Sequence, residues 1–65
     1  MTLDNVITRL KLHINKHYKS QAEFARHLDM DRSQLNRMIG GKEAPTKPVL
    51  DEIGIVKDTT YRVKK

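Results

Sequence analysis

Apolar side chains recur at helical spacing near the start of the chain. They lie three or four positions apart and comprise Leu3, Val6, Ile7, Leu10 and Ile14. Such a period places the side chains on one face of an amphipathic helix. Thr2 comes just before them and is a residue type that caps helix N-termini. The pattern therefore predicts a first helix over roughly residues 3–16.

A second helix is indicated by a capping box at Ser20 and Glu23. In this motif the Ser hydroxyl bonds the backbone of the Glu, and the Glu carboxylate can reach back to the cap. Phe24, Ala25 and Leu28 then share one face of the helix. We expect this helix to be short and to end by about Leu28.

The third helix begins after only a tight turn. Asp31 and Gln34 form a variant of the capping box, and Gly40-Gly41 supplies the residue type that ends a helix. The apolar face of this helix consists of Leu35, Met38 and Ile39. Two short, separately capped helices joined by a tight turn predict a helix-turn-helix over residues 20–40.

A fourth helix is predicted after the loop that follows Gly40-Gly41. Thr46 or Lys47 is placed to cap it, Pro48 falls in its first turn, and Gly54 marks its end. Its apolar side chains are Val49, Leu50 and Ile53. The helical part of the chain therefore comprises four short helices.

Beyond Gly54 the sequence alternates in the manner of a β-strand over residues 59–63. A lone strand leaves backbone groups unpaired, so it needs a partner. Ile55-Val56 could pair with it, but Lys57-Asp58 is a poor two-residue hairpin turn. We expect the strand to pair with its own copy in a second chain; the alternative is a monomeric tail docked on the fourth helix. The predicted fold is mainly α, with a short C-terminal β-strand.

Length and composition exclude several classes of protein. A chain of 65 residues makes one domain with one small core and has little room for a deep catalytic cavity. It contains no cysteine, so disulfides and thiolate metal sites are excluded. Because no apolar run could cross a bilayer and no signal peptide is recognisable, we expect a soluble protein of the cytoplasm.

The charge of the chain points toward polyanionic partners. Thirteen Lys and Arg residues stand against eight Asp and Glu residues, which gives a formal charge of +5 and a pI near 9.8. Neutralising phosphates releases condensed counterions, so a basic protein is attracted to nucleic acid. Between Arg32 and Lys42 there are three positive side chains and no acid.

The third helix concentrates side chains that can read DNA bases. At about 100° per residue, four polar residues fall within an arc of about 140° opposite the apolar face: Arg32, Ser33, Asn36 and Arg37. Arg matches guanine O6 and N7 with two parallel donors, and Asn pairs bidentately with adenine. A merely solvated helix face usually mixes acids with bases, whereas this face carries no acid after the cap. We expect these residues to enter the major groove.

Other polar residues near this helix are candidates for contacts to the DNA backbone. Gln21 begins the second helix, where its side chain and the free N–H groups can hold a phosphate. The further candidates for backbone contacts are Gln34, Lys42 and Lys19.

The run from Gln21 to Gly40 resembles the helix-turn-helix of the Cro and phage-repressor family. Gln21 matches the opening Gln of that motif, and Ala25 matches the small residue where the two helices cross. The family's core positions are matched by Leu28, Met30, Leu35 and Met38. Asp29 stands where the family prefers Gly, and Asp tolerates a left-handed backbone better than most residues.

The resemblance implies a small transcriptional repressor of phage or prophage origin, acting at the nucleoid of a bacterial host. Its base-reading residues would be Arg32, Ser33, Asn36 and Arg37. Residues 1–54 would form the DNA-binding domain, and residues 55–65 a strand and basic tail for dimerisation. The expected partners are operator DNA and a second copy of the chain, with no membrane and no small-molecule substrate.

Two alternatives keep the same fold: a protein-interaction module, and a DNA-binding accessory protein of recombination or excision. His13 and His17 lie one helical turn apart and could hold zinc, but no third ligand is obvious, so we expect no metal and no cofactor. Asp51 and Glu52 are interpreted as the solvated side of the fourth helix. Because no nucleophile with an ordered base is recognisable, we do not expect an enzyme.

Overall fold

The computed structural model describes residues 1–64, which form four helices followed by a two-stranded antiparallel sheet. The helices are α1 (Leu3–His17), α2 (Gln21–His27), α3 (Arg32–Ile39) and α4 (Lys47–Glu52), and the strands are β1 (Ile55–Lys57) and β2 (Tyr61–Val63). The predicted mainly helical fold is confirmed. Lys65, the last residue of the predicted tail, lies outside the described residues.

The first and fourth helices begin at the predicted positions but are capped differently. The Thr2 hydroxyl accepts a hydrogen bond from the backbone N–H of Asn5 at 3.2 Å, as expected of an N-cap. Thr46 occupies the N-cap position of α4 without a side-chain hydrogen bond, and Pro48 lies in the first turn. α4 ends at Glu52, and Gly54 follows with a φ of 73°, a left-handed conformation that favours glycine.

The main hydrophobic core is formed by one face of each of the four helices. Its buried members are Leu10, Ile14, Phe24, Ala25, Leu35, Met38 and Val49. Phe24, Leu10 and Leu35 have no exposed surface, and burial of each such side chain stabilises the fold by about 1.5–3 kcal/mol. The helical periodicity thus placed the core residues correctly, and it also fixes which face each helix turns outward.

A second, smaller cluster attaches the C-terminal sheet to the helices. Val6 of α1, Leu50 of α4 and Ile55 of β1 are buried together, and Tyr61 of β2 packs against them. The Tyr61 side chain is half-buried. It packs on this cluster, so the sheet is part of the folded unit rather than a loose tail.

The two strands form a hairpin, which corrects the expectation that the C-terminal strand lacks a good partner within the chain. β1 pairs with β2 in a register that places Val56 opposite Arg62. A loop over residues 58–60 replaces the two-residue turn that seemed necessary. Asp58 stabilises the loop, because its carboxylate accepts a hydrogen bond from the N–H of Thr60 at 3.4 Å and lies 2.9 Å from the Arg62 guanidinium.

Candidate nucleic-acid interface

The second helix begins as its capping box predicts. The backbone N–H of Glu23 donates to the Ser20 hydroxyl at 3.2 Å. Phe24 and Ala25 are buried and hold the inner face of α2 against the core. Gln21, the first residue of the helix, is exposed. Its side chain is therefore accessible to solvent.

The turn between α2 and α3 is a tight reversal centred on Asp29. Its φ of 53° is left-handed, which confirms the left-handed backbone expected at this position. The N–H of Asp29 donates to the carbonyl of Arg26 at 3.1 Å, and the N–H of Met30 donates to that of Ala25 at 2.9 Å. These two hydrogen bonds form a Schellman motif, which satisfies the last carbonyls of α2 and fixes the direction in which the chain leaves it.

The third helix is capped by Asp31, although not through the predicted box. The Asp31 carboxylate accepts from the N–H of Ser33 at 3.0 Å, one residue earlier than the Gln34 partner that a capping box uses. Leu35 and Met38 are fully buried on the inner face. The cap sets where α3 starts and the two buried residues set its rotation, so its outer face is fixed.

The four candidates for base contacts lie together on that outer face, and all are exposed: Arg32, Ser33, Asn36 and Arg37. None of them contributes to the core. Apart from Nε of Arg37, which contacts Glu43, the donors and acceptors of their side chains have no side-chain partner within residues 1–64.

The candidates for phosphate contacts differ in their exposure to solvent. Gln21, Lys19 and Lys42 are exposed, whereas Gln34 is half-buried. Lys42 lies just beyond α3, where its backbone N–H donates to the carbonyl of Arg37 at 2.9 Å. Its ammonium group therefore extends from a backbone position that is hydrogen-bonded to α3.

An acidic side chain reaches the outer face of α3, which the sequence analysis did not foresee. Glu43 lies in the loop after the helix, and its Oε1 accepts a hydrogen bond from Nε of Arg37 at 3.2 Å. Gly41, with a φ of 77°, reverses the chain between the two residues. Gly40-Gly41 was a sequence signal for this reversal, but not for the contact itself.

Glu52 is the centre of a polar cluster behind the helix-turn-helix, so its assignment to the solvated side of α4 was wrong. Its Oε2 lies 3.3 Å from Nε2 of His13 and accepts a hydrogen bond from the Tyr18 hydroxyl at 3.1 Å. Its Oε1 lies 3.7 Å from Nε2 of His27. Asp51 is exposed, as predicted. The Glu52 carboxylate thus joins α1, α2 and α4.

The cluster changes the acidity of two of its members. Partial burial acts to raise the pKa of Glu52, but its hydrogen bonds with Tyr18 and His13 and its electrostatic interaction with His27 outweigh that effect and lower the pKa. Desolvation and the hydrogen bond to Glu52 raise the pKa of the Tyr18 hydroxyl. The carboxylate is therefore held in its charged form.

The described residues offer neither a metal centre nor a membrane span. Within residues 1–64, no three His, Cys, Asp or Glu side chains are grouped so that they could hold a metal ion. His13, one of the two histidines considered for zinc, contacts Glu52 instead, while His17 is exposed. No helix in the same part of the chain is long and apolar enough to cross a membrane.

Comparison of the chain with protein-family models, with curated proteins and with solved structures finds no match.

Proposed function

We propose that the chain is a sequence-specific transcriptional regulator that binds double-stranded DNA, a Cro-like repressor of phage or prophage origin. The observation that carries this proposal is the outer face of α3. Four side chains able to read base edges are exposed there, and the opposite face is anchored by Leu35 and Met38 in the core. A rigid helix with that composition suits the major groove.

The mechanism assigns a role to each group of residues. Arg32 and Arg37 would donate to guanine O6 and N7, and Asn36 would pair with the N6 and N7 atoms of adenine. Ser33 is adaptable and would bond a base or a phosphate. Gln21 and Lys42 would contact phosphates, which fix the register of the helix but carry no sequence information. The proposal requires no catalysis and no cofactor.

The proposed regulator acts as a dimer. One short helix reads only a few base pairs, too few to single out one operator among the competing sites of a genome. The outer edge of β2, which faces away from β1, pairs with no other strand within residues 1–64 and would pair with a second copy. A two-fold arrangement would place two α3 helices about one DNA turn apart. Such a protein would work in the bacterial cytoplasm, at the nucleoid.

The proposed function is tested by selecting bound sequences from random duplex DNA. We expect enrichment of a two-fold symmetric site whose half-sites are centred about 10 base pairs apart. A selected site without symmetry would favour a monomeric DNA-binding role, as in a recombination accessory protein. If the folded protein enriched no sequence, the DNA-binding proposal would be refuted and a protein-interaction module would be the better interpretation.

A further inference from the structure

The contact between Arg37 and Glu43 has little value as a stabilising ion pair. The two side chains are 52% and 35% exposed, and exposed pairs contribute only about 0–1 kcal/mol. Its position is more informative than its strength, since Arg37 is one of the four exposed polar residues of α3.

The contact with Glu43 occupies only one of the three donor nitrogens of the Arg37 guanidinium. Glu43 engages Nε, which carries a single hydrogen. The two terminal nitrogens, Nη1 and Nη2, keep their hydrogens for another acceptor. A pair of parallel N–H donors is what guanine O6 and N7 accept. The contact therefore orients the guanidinium without occupying the end that would read a base.

The backbone around Glu43 restrains the position from which its carboxylate contacts Arg37. The N–H of Lys42 donates to the carbonyl of Arg37 itself, and the N–H of Gly41 donates to that of Met38 at 3.1 Å. Pro45, on the other side of Glu43, is buried. The loop that carries Glu43 is thus anchored at both ends, and one anchor is the residue that it orients.

We infer that Glu43 is a specificity-determining positioning residue, which holds Arg37 at Nε so that its Nη groups face a guanine. The inference rests on the proposed DNA-binding function. Because Glu43 also brings a negative charge toward the phosphates, it should weaken binding to all sequences while it sharpens discrimination at one base pair. Arg32 has no acidic partner within residues 1–64 and serves as the internal comparison.

The test measures affinity for the selected site and for a set of duplexes in which each base pair is replaced in turn. Glu43→Ala should lower discrimination about fivefold at one position, the position at which Arg37→Ala also loses discrimination. Positions read by Arg32 should keep their discrimination, and affinity for random DNA should rise. Glu43→Gln, which keeps the side-chain shape, should give a smaller loss at the same position.

Two controls separate positioning from charge and from folding. Asp51→Ala removes an exposed carboxylate from α4 and should leave discrimination unchanged. In an Arg37→Ala background, Glu43→Ala should no longer alter discrimination at that base pair, because the side chain that it orients is gone. Far-ultraviolet circular dichroism should show equal helix content in all variants.

Either of two results would overturn the inference. If Glu43→Ala raised affinity equally on every duplex, the residue would act only through its charge. If discrimination fell equally at all positions, Glu43 would support the fold rather than Arg37. Failure of the unmodified protein to select any sequence would be a different result, since it would refute the proposed function itself.

Discussion

The Tyr18 hydroxyl donates a hydrogen bond to the Glu52 carboxylate at 3.1 Å, which joins the end of α1 to the last residue of α4. The Tyr18 ring also packs edge-on against Phe24 of α2, with ring centroids 5.1 Å apart. The polar end of one side chain thus contacts α4 while its apolar body contacts the helix-turn-helix. The cluster around Glu52 thus holds α2 of the helix-turn-helix to α1 and α4.

Glu52→Gln should change how the free energy of unfolding depends on pH. The folded protein lowers the pKa of Glu52 below its ordinary value of 4.5, so the stabilisation is fully present above that value. It is lost as pH falls through the folded pKa. Urea unfolding from about pH 3 to pH 7 should show a steeper loss in the unmodified protein than in Glu52→Gln. Asp51→Asn is the matched control, and parallel profiles for Glu52→Gln and the unmodified protein would contradict the prediction.

Asp29→Gly should stabilise the protein. A left-handed backbone strains a residue that has a Cβ, and glycine removes the strain at some cost in unfolded-state entropy. The net gain should be about 0.5 kcal/mol. Asp29→Ala is the contrasting variant and should be destabilising, because alanine keeps a Cβ and tolerates a left-handed backbone less well than aspartate. Equal urea midpoints for the two variants would show that the turn is not strained.

Arg32→Ala and Arg37→Ala should each weaken the preference for the operator without unfolding the protein. Both side chains are exposed on the face of α3 opposite the core, and each lost base contact should cost about 1–3 kcal/mol of discrimination. Arg9→Ala is the control: it removes an exposed arginine of α1, far in sequence from the proposed contacts, and should leave the preference unchanged. Competition binding with operator and random DNA checks this prediction. Unchanged preference in both variants, with normal helix content, would remove the assignment.

Lys42→Ala should weaken binding to operator and random DNA by the same factor. A phosphate contact carries no sequence information, and losing one should reduce the slope of log affinity against log salt by about 1. Titrations at several salt concentrations measure both quantities. A change in sequence preference would mean that Lys42 reads a base.

Val63→Lys should prevent dimerisation if the outer edge of β2 is the interface. Val63 is 47% exposed, and lysine on an edge strand opposes pairing with another strand. Val63→Thr, which keeps a β-branched side chain without charge, should still form dimers. Analytical ultracentrifugation of the variants, with and without operator DNA, measures whether each of them forms dimers. Dimers of undiminished strength in Val63→Lys would place the interface elsewhere.

The local features of this protein follow from its sequence. The caps at Thr2, Ser20 and Asp31 involve partners two or three residues away. The left-handed turn at Asp29 and the buried positions of the helices depend on residue type and period alone. Because these interactions join residues that are close in sequence, the helix bounds, the core faces and the exposed face of α3 could be predicted.

Only the tertiary structure decided which distant side chains meet. Tyr18 and Glu52 are 34 residues apart in sequence, and His13 and Glu52 are 39 apart. Glu43 reaches Arg37 only because the chain reverses at Gly41, and β1 reaches β2 only because residues 58–60 close a three-residue loop. Periodicity shows that a side chain is exposed on its own helix. The packing of the helices and the path of the loops determine what it faces there.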